Sequence, residues 1–268
     1  MRQTNLKNHC FTAMILIDIA LHISENINPR DFIHDSGPLY HEFHAHSFIK
    51  EPWNAFSSLF FLVPVVFWTW KLRGQYRKYW VISILLPLLF MNGVGSTLYH
   101  AFRSSQFALL LDWMPAFIMN LFLAWYMWNR VLKRPVVSVF AVLSFYVLAI
   151  FSVFSLRQYI QEMSANIGYL FIGLSLLLPS VIHLFRTRFY KWHLLFLSFL
   201  FLGIALVFRS LDHPTPNPFP EIFPQGTHFL WHLVSAFAVF TLGYFFKFTV
   251  DRETEHKEKR VAGHGNPY

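Results

Sequence analysis

Charge is what this sequence has least of. Only 13% of its 268 residues are Asp, Glu, Lys or Arg, against about 25% in an ordinary soluble domain. That shortage argues against a water-soluble globule and makes lipid the expected solvent for much of the surface. Cysteine is nearly absent. Cys10 is the single thiol, so no internal disulfide and no cysteine-ligated metal site can form. Acidic residues are few, 14 against 22 basic ones. In a soluble chain that balance would suggest nucleic acid, but the placement of the charges gives it another meaning. Apolar side chains are abundant: 55% of the chain is hydrophobic and 32 residues are Phe.

A helix needs about 20 apolar residues to cross the hydrocarbon core of a bilayer. Seven stretches qualify, approximately Pro52–Trp70, Tyr79–Tyr99, Phe107–Trp128, Pro135–Leu156, Asn166–Phe185, Phe189–Phe208 and Thr227–Phe248. The predicted fold is therefore all-α, a polytopic seven-transmembrane-helix bundle over residues 51–248. An extracytoplasmic segment, 1–50, precedes it and a charged cytoplasmic tail, 249–268, follows it. The apolar run from Phe11 to Ile23 is short, is interrupted by Asp18 and lacks a small-residue cleavage site. It reads as an interfacial helix rather than a signal peptide or a span. The connection Ser210–Gly226 holds five prolines and cannot continue a helix; an ordered cap or a flexible flap is expected there.

Basic residues alternate between rich and poor connections. Lys71, Arg73, Arg77 and Lys78 follow the first span, and Arg103 stands alone after the second. Arg130, Lys133 and Arg134 come next, then Arg157 alone, then Arg186, Arg188 and Lys191, then Arg209 alone, and a basic tail from Lys247. Cytoplasmic loops carry the excess of Lys and Arg. The pattern predicts a cytoplasmic C-terminus and an N-terminus on the outer face of an integral multi-pass membrane protein. The basic balance is thus a topology signal, and nucleic acid is not an expected partner.

Ionisable residues within membrane helices are costly and are functional candidates by default. Here they gather. The second span ends in Gly93-Val-Gly-Ser96-Thr-Leu-Tyr-His100, the third opens near Asp112, the sixth ends in Arg209-Ser-Leu-Asp212, and the seventh begins His228-Phe-Leu-Trp-His232. The predicted topology brings all of these to one depth near the outer leaflet. His228 and His232 are four apart and share a helix face, a spacing that suits two imidazoles on one metal ion. Such pairs also arise by chance as interface histidines bonded to neighbours. His100 could add a third nitrogen, which would leave a fourth tetrahedral position open, as in catalytic zinc sites. Ser96 lies on the face of His100. Alone it could equally bond back to its own helix or permit close packing beside Gly93 and Gly95. Asp112 could be a buried partner for Arg103 or Arg209, and Asp212 a cap for its loop or a partner for Arg209. His183 and His193 fall at the other depth and read as interface residues. His34, His41, His44 and His46 crowd the N-terminal segment and read as solvated. Asp31, Asp35, Glu42 and Glu51 near them make a hard cation such as Ca²⁺ conceivable.

Taken jointly, Ser96-x-x-x-His100, Leu-Leu-Leu-Asp112-Trp-Met-Pro, Arg209-Ser-Leu-Asp212, His228-x-x-x-His232 and Glu51-Pro-Trp-Asn54 resemble the alkaline ceramidase family, within the superfamily that includes the adiponectin receptors. The resemblance covers about Asp31 to Phe248. It implies an intramembrane zinc held by His100, His228 and His232, with Ser96 and Asp112 beside it as catalytic groups. It also implies hydrolysis of a ceramide amide to a sphingoid base and a fatty acid, so a ceramide-like membrane lipid is the expected substrate. A calcium site in the N-terminal segment is implied as well; Glu51 matches one ligand and Asp31 another. The stretch Asp31-Phe-Ile-His34-Asp-Ser36 departs from the family pattern, with His and Ser where Glu and Asn are expected. Three other functions fit parts of the pattern: a hydrolase of another lipid amide or ester, a receptor-like seven-helix protein, and a histidine-ligated haem or ion-transfer protein.

Overall fold

The computed structural model describes residues 33–156, 159, 161–212 and 217–263, without the side chains of 161–166 and 260–263. Asp31, Cys10, Arg157 and the Phe11–Ile23 run lie outside the described residues.

Seven long helices follow one another. They are α1 (Pro52–Lys71), α2 (Trp80–Phe102), α3 (Gln106–Leu132), α4 (Pro135–Leu156), α5 (Gln161–Arg186), α6 (Trp192–Asp212) and α7 (His228–Gly263). α1 carries one 3-10 turn at Leu59–Phe61. All seven are long and apolar enough to cross a membrane, and no strand occurs among the described residues. The protein is an all-α, seven-helix, multi-pass membrane protein.

The outward faces suit lipid as the solvent. On α4, Val136, Phe140, Val147, Phe151 and Phe154 are each more than 60% exposed and recur at helical spacing on one side. Such a stripe would drive association in water; in a bilayer it is the stable surface. Pro87, Pro115 and Pro179 sit inside α2, α3 and α5, as membrane helices tolerate where neighbouring groups satisfy the backbone.

Helix ends depart from the hydropathy boundaries where local chemistry sets them. Ser105 accepts a hydrogen bond from Ala108 N and caps α3, which therefore starts at Gln106. Arg188, Phe189 and Lys191 take positive φ, so the connection after α5 is a tight turn and α6 starts at Trp192 rather than Phe189. α7 continues past Phe248 to Gly263, so much of the charged tail extends the last helix. Between α6 and α7 the described residues 217–227 form turns, an ordered stretch of the proline-rich connection.

Packing divides the bundle along its length. The main apolar core joins Trp68 of α1, Leu72 just beyond its end, Met127 of α3, Tyr146 of α4, and Phe245 and Phe246 of α7. Except for Tyr146, at the middle of α4, these lie toward the end where the basic loops are. A smaller cluster of Phe61, Leu89 and Ala236 forms the floor beneath the polar residues at the opposite end. There α1, α2 and α7 meet one another, and α2 packs along α3. Gly95 makes the α2–α3 approach possible, since a Cβ there would lie 2.5 Å from Leu111 O.

Candidate metal centre

Three imidazoles converge at the α1–α2–α7 junction. His100 is fully buried, and His228 and His232 are 3% and 2% exposed. Each offers one nitrogen, and the three nitrogens lie within 4.8 Å of one another. The i,i+4 pair at the start of α7 supplies two rings and the last turn of α2 supplies the third. This is the only such group of potential metal ligands among the described residues.

The donor set fits a metal ion. His100 Nε2 and His228 Nδ1 are buried with no hydrogen-bond partner, a costly state for polar atoms unless something coordinates them. The outer nitrogens are held. His100 Nδ1 lies 2.5 Å from Glu51 Oε2, the arrangement that fixes the tautomer and orientation of a ligating imidazole. His232 Nδ1 is 2.9 Å from Ser57 Oγ and 3.2 Å from Ser58 Oγ. Imidazoles with no thiolate suit zinc, copper, nickel or iron, so the ligands do not by themselves choose the metal.

Ser96 and Asp112 lie beside the three rings. Ser96 is 1% exposed, and its hydroxyl is 2.9 Å from that of Ser58. The Asp112 side chain interacts with Ser96 and lies within electrostatic reach of His100 and Arg209. Asn92 donates its side-chain amide to Asp112 O and ties α2 to α3 at this level.

A relay of buried charges stands behind His100. Arg103 donates from Nη1 to Glu51 Oε1 at 2.5 Å, from Nη2 to Asp35 Oδ1 at 2.8 Å and from Nε to Asp35 Oδ2 at 3.0 Å. The side chains of Asp35, Glu51, His100 and Arg103 are all 0% exposed. The guanidinium also lies 4.8 Å from the Tyr99 ring. Arg103 thus pairs with Asp35 and Glu51, and not with Asp112. Its left-handed backbone, φ 49°, ends α2 and turns the chain so that Arg103 O accepts from His34 N.

Residues 33–50 form an irregular cover over the cluster. The Tyr40 ring lies 4.0 Å from the His228 ring and 5.3 Å from that of His100. Burial raises its phenol well above the ordinary value, so it is a neutral plug. His41 donates its backbone N–H to Asp212 Oδ1 at 3.2 Å, and its Nδ1 lies 2.9 Å from the same oxygen. Asp212 Oδ2 accepts from Thr227 N at 2.8 Å and His228 N at 2.6 Å. One carboxylate therefore caps the start of α7 and pins the cover. Gly226, at φ +80°, permits this; a Cβ there would meet Asp212 Oδ2 at 2.5 Å. Glu42 accepts from Trp53 N and Asn54 N at the start of α1. His34, His44 and His46 are exposed, away from the cluster.

Of the acidic residues in this region, Asp35 and Glu51 are engaged by Arg103, and Glu42 by backbone N–H groups; Asp31, implied with Glu51 as a calcium ligand, lies outside the described residues. The sequence reading did not anticipate the Arg103 relay, Tyr40, Asn92, Ser57 or Ser58. The one signal was Arg103 itself, a lone cation on the poor side of the charge pattern.

Searches against protein-family models and against curated proteins return no match for this chain.

Proposed function

We propose that this protein is a metal-dependent intramembrane amide hydrolase of the alkaline ceramidase type. Its substrate would be a ceramide-like sphingolipid, cleaved to a sphingoid base and a fatty acid. The observation that carries the reading is the group of three buried imidazoles with one nitrogen of each within 4.8 Å of the others, with an aspartate and a serine alongside. The motif resemblance in the sequence supports the substrate class, and zinc is the metal it favours.

A zinc ion held by His100, His228 and His232 supplies Lewis acidity for an amide carbonyl and for water. The protein's own groups do the rest. Glu51 holds the proton on His100 Nδ1 and leaves Nε2 as the inward lone pair. The Asp112 carboxylate accepts a proton from the attacking water and returns it to the departing amine. The Ser96 hydroxyl donates to the oxyanion as the carbonyl becomes tetrahedral, a contribution of about 3 kcal/mol at comparable sites. Tyr40 and the cover it belongs to exclude bulk water, which strengthens each of these interactions. The apolar helix faces accept the two aliphatic chains. With the basic loops cytoplasmic, the reaction lies near the outer leaflet, the C-terminus is inside and the N-terminus outside.

The test is metal analysis of the purified protein together with a ceramide hydrolysis assay, with and without a chelator. The reading expects stoichiometric zinc and chelator-sensitive release of fatty acid. Turnover that survives complete metal removal would refute it.

A further inference from the structure

A cavity of about 210 Å³ opens at the end of the bundle farthest from the histidine cluster, between the last turn of α5, the turn that follows it, and α7. Thr249 on its wall is 21 residues beyond His228 on one helix, or about 31 Å at 1.5 Å per residue. That is about the thickness of the hydrocarbon core. The cavity therefore sits at the headgroup level of the leaflet opposite the histidines.

Its chemistry is cationic and its charge is not balanced from within. Arg186 donates from Nη1 to Val131 O, and Arg252 from Nη1 to Thr187 O at 2.7 Å. Neither guanidinium forms an ion pair among the described residues. Carbonyl oxygens satisfy one donor of each but leave its charge uncompensated, and a guanidinium has five donors. The one acid on the wall, Glu253, is already bonded to Arg130 Nη2 at 2.8 Å. Arg252 Cζ lies over the Tyr190 ring at 4.7 Å and its Nη1 is bonded to Thr187 O, so its fork is pre-organised. His183 and His256 complete the rim. Phe185, Phe189 and Trp192, on and beside the same turn, are 65%, 49% and 50% exposed, as residues facing acyl chains and the interface are.

We propose that this cavity binds a phosphate group, and specifically the phosphomonoester headgroup of an anionic phospholipid. Two fixed guanidiniums match the charge and forked geometry of a phosphomonoester, and basic pockets between helices at this level are suited to lipid headgroups. The exposed aromatic residues favour a lipid over free phosphate, since only a lipid has chains to lay against them. This site is independent of the histidine cluster and of the hydrolase reading.

The experiment titrates the purified full-length protein in neutral detergent with three probes: dioctanoyl phosphatidic acid, dioctanoyl phosphatidylcholine and inorganic phosphate. Binding is followed by intrinsic tryptophan fluorescence and by shift of the thermal unfolding midpoint. Expected are saturable binding of the phosphatidic acid, at least about tenfold tighter than either other probe, and weakening by added salt. The double variant Arg186→Gln with Arg252→Gln should lose about tenfold or more in affinity while keeping its circular-dichroism spectrum. Absence of saturable phosphatidic acid binding to the unaltered protein overturns the proposal, whatever the variant does. Equal affinity for inorganic phosphate overturns the lipid assignment, and unchanged binding in the double variant overturns the location.

Discussion

Charged residues are treated in opposite ways at the two ends of the bundle. At the histidine end, Asp35, Glu51, His100 and Arg103 have no exposed side-chain surface and hold one another in a continuous chain. At the basic end, Lys78 pairs with Asp251 at 37% and 20% exposure, and Lys247 reaches the same carboxylate at 2.7 Å. Between them runs the apolar core around Trp68, Met127 and Phe246. Charge in contact with water or headgroups costs little and mainly sets topology. Charge withdrawn from both costs several kcal/mol per ion unless fully paired, so a buried, interlocked set indicates a site that needs its geometry held.

That contrast predicts a graded series. Arg103→Met should have the largest effect on stability, because it takes the guanidinium from two buried carboxylates; about 3–5 kcal/mol is expected. The loss is read from thermal or denaturant unfolding in detergent. A loss under about 1 kcal/mol would mean that the relay is solvated in the working protein. Asp212→Ala should cost less, about 2 kcal/mol, since it strips the acceptor from two N–H groups at the start of α7 and releases His41. Proteolysis within residues 33–50 should accelerate in that variant, as the cover loses an anchor; unchanged cleavage would argue against pinning.

Glu42 gives a dependence on pH. Burial raises its carboxyl from 4.5 to about 7, against the opposing pull of the Trp53 and Asn54 N–H groups. The fold holds this proton more tightly than the unfolded chain does. Its contribution is therefore complete below about pH 4.5 and is lost as pH rises through about 7. Glu42→Gln should flatten the stability profile across that window, and an unaltered slope would contradict the assignment. The smallest effect belongs to the basic end. Lys78→Ala should change stability by about 0.5 kcal/mol and less at high salt; a loss above about 2 kcal/mol would erase the distinction between the ends.

The sequence carried the fold through a single physical constraint, the length of apolar chain needed to cross a bilayer. All seven spans were legible for that reason. Their ends were not, because Ser105 as a cap and the positive-φ turn at Arg188 to Lys191 are local chemistry that hydropathy ignores. The three histidines were legible because spacing along α7 and depth along α2 each follow from helix geometry. Ser96 and Asp112 were legible as neighbours by the same logic. The relay through Asp35, Arg103 and Glu51 was not, because residues 33–50 have no periodicity and their path over the cluster depends on tertiary contacts. No spacing or motif marks Tyr40, whose ring lies against His228. Ser57 and Ser58 face His232 from α1, across a junction that no sequence spacing encodes.

The most direct measurement is the metal content per chain of the purified protein and of its His228→Ala variant, with ceramide hydrolysis followed on the same samples. The account predicts about one zinc per chain in the first and, in a variant that still folds by circular dichroism, the loss of both metal and hydrolysis. Full metal occupancy or undiminished turnover in the His228→Ala protein would contradict it.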